Sequence, residues 1–175
     1  MHPRLIVIAG FMGSGKTTVA RALASLLGCE VLDLDESIAR DEQRSPKEII
    51  EQDGEDNFRE IETRALAEFL KKDAAGVVAL GGGTWTIPAN RRLLAKHGAI
   101  TIWLDAPFEL CWNRIEASRQ RRPLAPSYEA AKQRYQDRVG VYRLADYRIE
   151  INTSDSAEEI AKTIAALISR HSGNN

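Results

Sequence analysis

Five short runs of apolar residues recur along the chain, and each has the length and composition of a β-strand. They are LIVIA (5–9), CEVLDLD (29–35), GVVAL (76–80), AITIWLD (99–105) and YRIEI (147–151). Most of these runs are too continuous in apolar character for a strand with one face in water. The pattern therefore predicts a buried, parallel sheet of five strands.

The segments between these runs carry apolar residues at helical spacing. Four examples are KTTVARALASLL (16–27), NFREIETRALAEFLKK (57–72), PANRRLLAKH (88–97) and APFELCWNRIEA (106–117). Alternation of strands and helices is typical of folds in which right-handed crossovers place helices on both faces of a parallel sheet. The sequence thus predicts the α/β class, with three layers.

Two helix starts can be placed by their capping residues. Ser45, Pro46 and Glu48 combine an N-cap serine, a proline at the first helical position and the glutamate of a capping box. Ser156 and Glu159 repeat the box before the last helix. Both helices are predicted to begin directly after their serine.

The chain has the length of one domain, at 175 residues, and neither an internal repeat nor a flexible linker divides it. Two regions depart from the regular alternation. Residues 36–75 place extra helices between the second and third strands, and residues 119–127 read RQRRPLAPS. We expect a single domain with embellishments at these two places.

Composition and charge narrow the possible classes of partner and the possible cellular compartments. The formal net charge of -1 argues against a protein that mainly coats nucleic acid or an anionic membrane. The chain lacks the zones of a signal peptide and a membrane-length apolar run of about 18 residues. Cys29 and Cys111 lack CxxC spacing, which favours a reducing compartment. These observations predict a cytoplasmic protein.

The segment GFMGSGKTT, Gly10 to Thr18, fits the phosphate-binding pattern G-x-x-x-x-G-K-[ST] between an apolar strand and a helix. Its backbone N–H groups and the helix dipole favour phosphate oxygens. Lys16 is expected to reach the β and γ phosphates, and the Thr17 hydroxyl to ligate Mg²⁺. This loop predicts nucleotide binding but does not distinguish a kinase from an ATPase, a GTPase or a nucleotide-gated switch.

Asp33 and Asp35 form a D-x-D pattern at the end of the second apolar run. On a strand, period-two alternation would point both carboxylates to one side, at the sheet edge where ligands bind in α/β folds. One carboxylate could then help to hold the coordination shell of Mg²⁺, while the other orients a substrate hydroxyl for attack. The alternative is that one or both cap the following helix.

Two further motifs suggest an acceptor site. Arg59 and Glu62 lie three positions apart on a predicted helix, so the glutamate can direct the guanidinium towards a carboxylate. A solvated ion pair is the alternative. Gly81–Gly83 directly follow the third strand and predict bare backbone close to a ligand or to the phosphate loop, unless they form only a tight turn.

Arginines are concentrated in the last third of the chain. A first group is Arg114, Arg119, Arg121 and Arg122. A mobile lid would bring one of these onto the transferring phosphoryl group and exclude water, although a solvated loop is the alternative. Arg138 and Arg143 precede the last strand, and spacing does not decide which of them is a second anion contact.

With these residues in place, the chain resembles shikimate kinases along nearly its whole length. The resemblance rests on GFMGSGKTT, the D-x-D pattern, FREIE, GGG, RPL and ADYRI, in that order. The phosphate loop alone is widespread, but the ordered set is specific. The resemblance implies transfer of the ATP γ-phosphoryl group to the 3-hydroxyl of shikimate, in aromatic amino acid biosynthesis. It also implies a P-loop fold similar to nucleoside monophosphate kinases.

On the acceptor side, the resemblance implies a role for each matching residue. Asp35 would bind the shikimate hydroxyls and orient the acceptor. Arg59 would bind the shikimate carboxylate, with Arg138 as the second arm and Glu62 beside them. Gly81–Gly83 would line the site through their backbone N–H groups.

On the nucleotide side, the resemblance implies that Asp33 helps to hold Mg²⁺ beside Thr17. Arg122 would be the lid arginine that reaches the phosphates, and Arg114 the arginine that lies on adenine. The residues expected to contact ATP are Gly13, Ser14, Gly15, Lys16, Thr17, Thr18, Arg114 and Arg122, and those expected to be catalytic are Lys16, Asp35 and Arg122.

The resemblance further implies one kinase domain over 1–175, with a substrate-binding helical insertion at about 36–75 and a lid at about 114–127. We expect ATP and shikimate as ligands, Mg²⁺ as cofactor, no nucleic acid or membrane partner, and a monomer.

The bulky Trp85 lies just past the glycines and could narrow or reshape the acceptor pocket. The alternatives that remain are a P-loop kinase for another polyol acid such as gluconate, and an ATP-binding module without catalysis.

Overall fold

A five-stranded parallel sheet forms the centre of the computed structural model, which describes residues 5–72, 76–118 and 123–172. The strands are β1 (Ile6–Gly10), β2 (Glu30–Asp33), β3 (Gly76–Ala79), β4 (Ile100–Asp105) and β5 (Tyr147–Glu150). They lie in the order β2-β3-β1-β4-β5, and every neighbouring pair is parallel. The prediction of the α/β class with a parallel sheet is confirmed.

Helices fill the crossovers between these strands, and one more helix follows the last strand. In the described ranges they are α1 (Lys16–Leu27), α2 (Leu34–Glu42), α3 (Pro46–Asp53), α4 (Glu55–Leu70), α5 (Pro88–Lys96), α6 (Phe108–Ala117), α7 (Tyr128–Tyr142) and α8 (Ala157–Ser172), with a short 3₁₀ helix at Thr84–Thr86. The crossover from β1 to β2 runs opposite to the other three along the sheet. Right-handed connections therefore place α1 on one face, where it packs against α8, and the other crossover helices on the opposite face.

The central and edge strands differ in burial. Strands β1 and β3 are buried throughout and β4 at all but its last residue, whereas the edge strands β2 and β5 carry exposed residues. An edge strand has a neighbour on one side only, so its side chains are less completely covered. The expectation of a fully buried sheet therefore holds for the three inner strands.

The capping boxes form as predicted. Ser45 Oγ accepts a hydrogen bond from the Glu48 backbone N–H at 3.2 Å, and the Glu48 carboxylate accepts from the Ser45 N–H at 2.7 Å. Ser156 and Glu159 make the same reciprocal pair at 3.2 and 2.9 Å. These bonds satisfy backbone donors that the first helical turn leaves without partners.

The second strand ends earlier than its apolar pattern indicates. Asp33 is the N-cap of α2 and accepts a hydrogen bond from the Glu36 N–H at 3.1 Å, so Asp35 lies in the first helical turn. The prediction that period-two alternation of a strand aligns Asp33 and Asp35 is therefore wrong. An aspartate oxygen satisfies a backbone donor at a helix start, which favours the turn into α2 at this point.

In the described parts of the chain, no helix combines the length and apolar character that crossing a membrane would require.

Candidate active site

The phosphate loop joins β1 to α1 with two glycines in left-handed conformations. Gly13 has a φ of 79° and Gly15 a φ of 94°, values that side chains rarely adopt. A Cβ at Gly13 would also lie 2.5 Å from the carbonyl oxygen of Cys111. Lys16 Nζ donates a hydrogen bond back to the Phe11 carbonyl at 2.9 Å. The ammonium group is thus held over the loop that the sequence pattern assigns to phosphate.

The residues expected to hold the metal are in contact. Thr17 Oγ1 donates a hydrogen bond to Asp33 Oδ2 at 2.5 Å. Among the described residues, no group of three or more His, Cys, Asp or Glu side chains could bind a metal alone. Mg²⁺ usually takes one or two protein ligands and completes its shell with phosphate oxygens and water. A hydroxyl beside one carboxylate therefore fits Mg²⁺ delivered with a nucleotide.

The other residues expected at the nucleotide lie as follows. Arg114, on α6, donates from Nη1 to the Gly13 carbonyl at 3.2 Å and therefore lies beside the loop. Ser14 is buried, and its Oγ has no hydrogen-bond partner in the described parts of the chain, whereas Thr18 is exposed. Arg122, like Arg119 and Arg121, lies outside the described residues.

A cavity of about 660 Å³ adjoins the phosphate loop. Every residue expected on the acceptor side lines it, namely Asp35, Arg59, Glu62, Gly81, Gly82, Gly83 and Arg138. Its apolar wall includes Met12 of the phosphate loop together with Ile50, Phe58 and Leu124. Leu124, from the predicted lid, therefore faces the same space as the acceptor side chains.

Arg59 is held in a partly buried network instead of a solvated ion pair. One arm donates to Glu62, which is fully buried, and Nη2 donates to Glu55 at 2.9 Å. Glu62 also accepts from the Thr84 hydroxyl at 2.5 Å. Burial alone would lower the pKa of Arg59, but Glu62 and Glu55 raise it above its usual value. The guanidinium is therefore charged and fixed in direction.

Close neighbours surround the three glycines. A Cβ on Gly83 would overlap the Arg59 guanidinium, and one on Gly81 would overlap the Glu62 carboxylate. The Gly82 carbonyl accepts hydrogen bonds from Arg138 Nη1 at 3.1 Å and from the Tyr142 hydroxyl at 2.5 Å. Gly81 and Gly83 thus leave room for the acceptor side chains, and a Cβ on Gly82 would lie 3.3 Å from the Met12 backbone N of the phosphate loop.

Asp35 combines an unpartnered oxygen with a perturbed pKa. Its Oδ1 is buried and has no hydrogen-bond partner among the residues the structure describes. Burial is the main cause that raises its pKa to about 6, followed by the nearby carboxylates of Glu62 and Asp33; Lys16 and Arg59 oppose the shift. A carboxylate with such a pKa, facing a cavity, is suited to accept a proton near neutral pH.

The structure shows which of Arg138 and Arg143 lies at the cavity, a choice that spacing in the sequence could not decide. Arg138 is buried on α7 and lines the cavity, whereas Arg143 is exposed at the end of that helix. Burial lowers the pKa of Arg138, and the nearby Arg59 and Arg134 lower it further. An anion bound in the cavity would relieve this repulsion.

Trp85 is not among the described residues that line the cavity, so its bulk does not narrow the cavity. The 3₁₀ turn after the glycines directs its ring into the core, where 4% of the residue is exposed. Its indole N–H donates to the Val141 carbonyl at 3.0 Å, near the end of α7.

Sequence reasoning missed Glu55 and Arg134. Glu55 is the shared partner of several arginines, and the only local signal for it was its i,i+4 spacing from Arg59. Arg134 contacts Glu55 from α7, at 3.1 Å, and no pattern in the sequence connects the two.

These features define a class of protein. A phosphate loop, an adjacent hydroxyl–carboxylate pair and a cavity with two arginines and a carboxylate are the parts of a P-loop kinase that acts on a small anionic acceptor.

Comparison with known proteins identifies the family. A family model described as shikimate kinase matches residues 12–169. The shikimate kinase of Ruegeria pomeroyi is 38% identical over 171 residues, which cover 95% of this chain and 86% of that protein. That of Persephonella marina is 36% identical over 146 residues, covering 83% of this chain and 88% of that protein. The chain belongs to the shikimate kinase family.

A solved structure agrees in fold and connectivity. Shikimate kinase from Acinetobacter baumannii in complex with shikimate has a TM-score of 0.89 and 37% sequence identity, over 97% of this chain and 94% of that one.

Proposed function

We propose that this chain transfers the γ-phosphoryl group of ATP to the 3-hydroxyl of shikimate, giving shikimate 3-phosphate and ADP. The observation that carries the proposal is the convergence of Asp35, Arg59 and Arg138 on one cavity beside the phosphate loop. Shikimate presents a carboxylate at one end of its ring and hydroxyls at the other. The cavity offers guanidinium groups for the first and a carboxylate for the second.

Arg59 and Arg138 bind the acceptor carboxylate. Guanidinium and carboxylate groups pair through charge-assisted hydrogen bonds that fix orientation as well as position. Arg59 is preorganised by Glu62 and Glu55, and Arg138 by the Gly82 carbonyl. Because these partners restrict both side chains before binding, less conformational entropy is lost when the acceptor arrives.

Asp35 orients the attacking hydroxyl. Its Oδ1 accepts the hydroxyl proton, and its raised pKa lets it hold that proton as the oxygen attacks phosphorus. The loop from Gly13 to Thr18 binds the nucleotide phosphates, and Lys16 stabilises the charge on the transferred group. Thr17 and Asp33 would hold Mg²⁺ when it is bound with the nucleotide, and the ion would neutralise phosphate charge there.

The remaining assignments complete the proposal. Arg114 lies on adenine, and Arg122 reaches the phosphates from a lid at about 114–127, which closes over the site and excludes water. Residues 36–75 form the acceptor-binding part of a single domain over 1–175. The enzyme works as a cytoplasmic monomer with ATP and shikimate as ligands and with no nucleic acid or membrane partner, which its net charge of -1 supports.

The test is Mg²⁺-dependent ADP release with shikimate as acceptor, compared with quinate, gluconate, a panel of nucleoside monophosphates and no acceptor. Release that needs shikimate supports the proposal, and phosphorus NMR of the product locates the phosphate on the 3-oxygen. ADP release with gluconate but not with shikimate would support kinase activity and show that the acceptor is not shikimate. Nucleotide binding without turnover of any acceptor would indicate a non-catalytic module.

A further inference from the structure

Three arginines from two helices meet at the carboxylate of Glu55, in the first turn of α4. Arg59 Nη2, one turn further along α4, lies 2.9 Å from Glu55 Oε1. Arg134 Nη1, from α7, lies 3.1 Å from the same oxygen and 3.4 Å from Oε2, which its Nη2 also approaches at 3.4 Å. Arg138 Nη2 lies 3.9 Å away. One carboxylate therefore connects both proposed clamp arginines to a third arginine.

The charges of this cluster depend on one another. Burial alone would raise the pKa of Glu55, but Arg59 and Arg134 lower it below its usual value. Glu55 is therefore ionised at neutral pH. Its negative charge offsets the repulsion among three guanidinium groups that α4 and α7 bring together.

The contact between Glu55 and Arg134 is placed to control geometry. Arg134 precedes Arg138 by one helical turn, so whatever fixes Arg134 against α4 also fixes the approach of Arg138 to Arg59. The side chains of Arg134 and Glu55 are about one-third exposed, at 30% and 33%. Ion pairs with this exposure contribute little to global stability. Arg134 is also not among the described residues that line the cavity, whereas Arg59 and Arg138 line it.

We propose that Arg134 is a positioning residue for the acceptor clamp formed by Arg59 and Arg138. It holds Glu55 between α4 and α7, so that the two clamp arginines keep the separation that a carboxylate requires. This inference rests on the proposed function, because it assumes that the two arginines bind the acceptor. It assigns part of the acceptor specificity to a residue outside the cavity.

The central variant is Arg134→Leu, which keeps an apolar stem and removes the guanidinium. The acceptor KM is expected to rise about tenfold or more, because displacement of binding groups by about 1 Å can cost a hundredfold. The KM for ATP and the melting temperature should stay close to those of the wild type. Arg134→Lys, which restores the charge without the fork, should recover part of the acceptor KM.

Two further variants separate positioning from general damage. Arg64→Leu is the matched control, because it removes an ion pair between α4 and Glu42, at 3.0 Å, on an exposed surface. It should leave both KM values unchanged. In a Glu55→Gln background, Arg134→Leu should have little additional effect on the acceptor KM, because the two residues act through one contact.

The outcomes distinguish this inference from the proposed function. An unchanged acceptor KM in Arg134→Leu, in a wild type that phosphorylates shikimate, overturns the positioning role and leaves the function standing. Full additivity with Glu55→Gln overturns it as well, as does a fall in melting temperature that accounts for the loss. If none of the acceptors in the panel stimulates ADP release by the wild type, the proposed function and this inference both fail, because the inference requires a clamp that binds an acceptor.

Discussion

The nucleotide side and the acceptor side of the cavity are built from the chain in different ways. The nucleotide side is centred on one contiguous loop, Gly10 to Thr18, whose glycines expose backbone donors, and Asp33 and Arg114 contact this loop from outside it. The acceptor side takes Asp35 from α2, Arg59 from α4, Arg138 from α7 and the glycines that follow β3. Its residues meet only when these elements pack.

This difference determines what a substitution can disturb. A contiguous loop keeps its geometry through local backbone conformation, so loss of one side chain there should reduce the rate and leave acceptor binding intact. A site assembled from several elements depends on packing and on buried charge pairs. Loss of a buried charge there, such as that of Arg59, should change acceptor binding and stability together.

Asp35→Asn is expected to have the largest effect on rate. The value of kcat should fall by about 10²–10⁴, because the amide cannot accept the hydroxyl proton. The KM for ATP should change little, since Asp35 lines the proposed acceptor cavity. Steady-state kinetics with each substrate varied in turn measure both quantities. Wild-type kcat in this variant would remove Asp35 from the chemistry.

The pH dependence of the same carboxylate provides a second check. The wild-type kcat/KM for shikimate should decline as pH falls through about 6, where Asp35 becomes protonated, and the Asn variant should lack this decline.

The same carboxylate makes the stability of the fold change with pH in the opposite direction. A folded-state pKa raised from 3.8 to about 6 contributes stability that is fully present below 3.8 and is lost as pH rises through 6. Asp35→Asn should therefore raise the melting temperature more at neutral than at acidic pH.

Lys16→Met tests the nucleotide side. Its kcat should fall by about 10²–10³, the usual cost of removing one group that stabilises transition-state charge. Shikimate affinity, measured by calorimetry, should stay within about twofold of the wild type, because Lys16 is not among the described residues that line the acceptor cavity. A large loss of shikimate affinity would show that the two sides are not separable.

Arg59→Ala should raise the acceptor KM strongly and also destabilise the protein by about 3–5 kcal/mol, because it leaves the buried Glu62 without its cation. Urea unfolding measures the second effect. The double variant Arg59→Ala/Glu62→Gln removes the stranded charge and should regain part of the stability without regaining the KM. Recovery of both would contradict a binding role for Arg59.

The smallest effects come from a pair of glycines. Gly83→Ala should cost about 1–3 kcal/mol, because the new methyl group meets the Arg59 guanidinium, and it should raise the acceptor KM. Gly140→Ala, at an exposed position of α7 with nothing within 4 Å, should stabilise by about 0.5–1 kcal/mol. Denaturant midpoints and acceptor kinetics compare the two. Equal effects would show that space at Gly83 is not the constraint.

The features that the sequence predicted best are those decided by local chemistry. The bounds of α1 agree with the apolar pattern, and Ser45 forms the capping box that its neighbours indicate. The phosphate loop was readable because its residues are contiguous. The acceptor residues were named through an ordered resemblance, since no single spacing relates Asp35 to Arg138.

The errors arose where tertiary packing overrides a local pattern. Asp33 ends β2 and caps α2 where alternation suggested that the strand continues to Asp35, and Trp85 turns into the core because α7 offers a carbonyl for its indole. Arg134 could not be found from the sequence, because its meaning depends on the distance between two helices that are far apart in the chain.

The overlap between the space above Gly83 and the Arg59 guanidinium also has an evolutionary consequence. Any side chain at Gly83 would displace the Arg59 guanidinium, and shortening Arg59 to make room would remove one arm of the proposed carboxylate clamp. The two positions are therefore epistatic, and neither single step is neutral. Descendants of this chain should retain both residues together or replace both together with a change of acceptor.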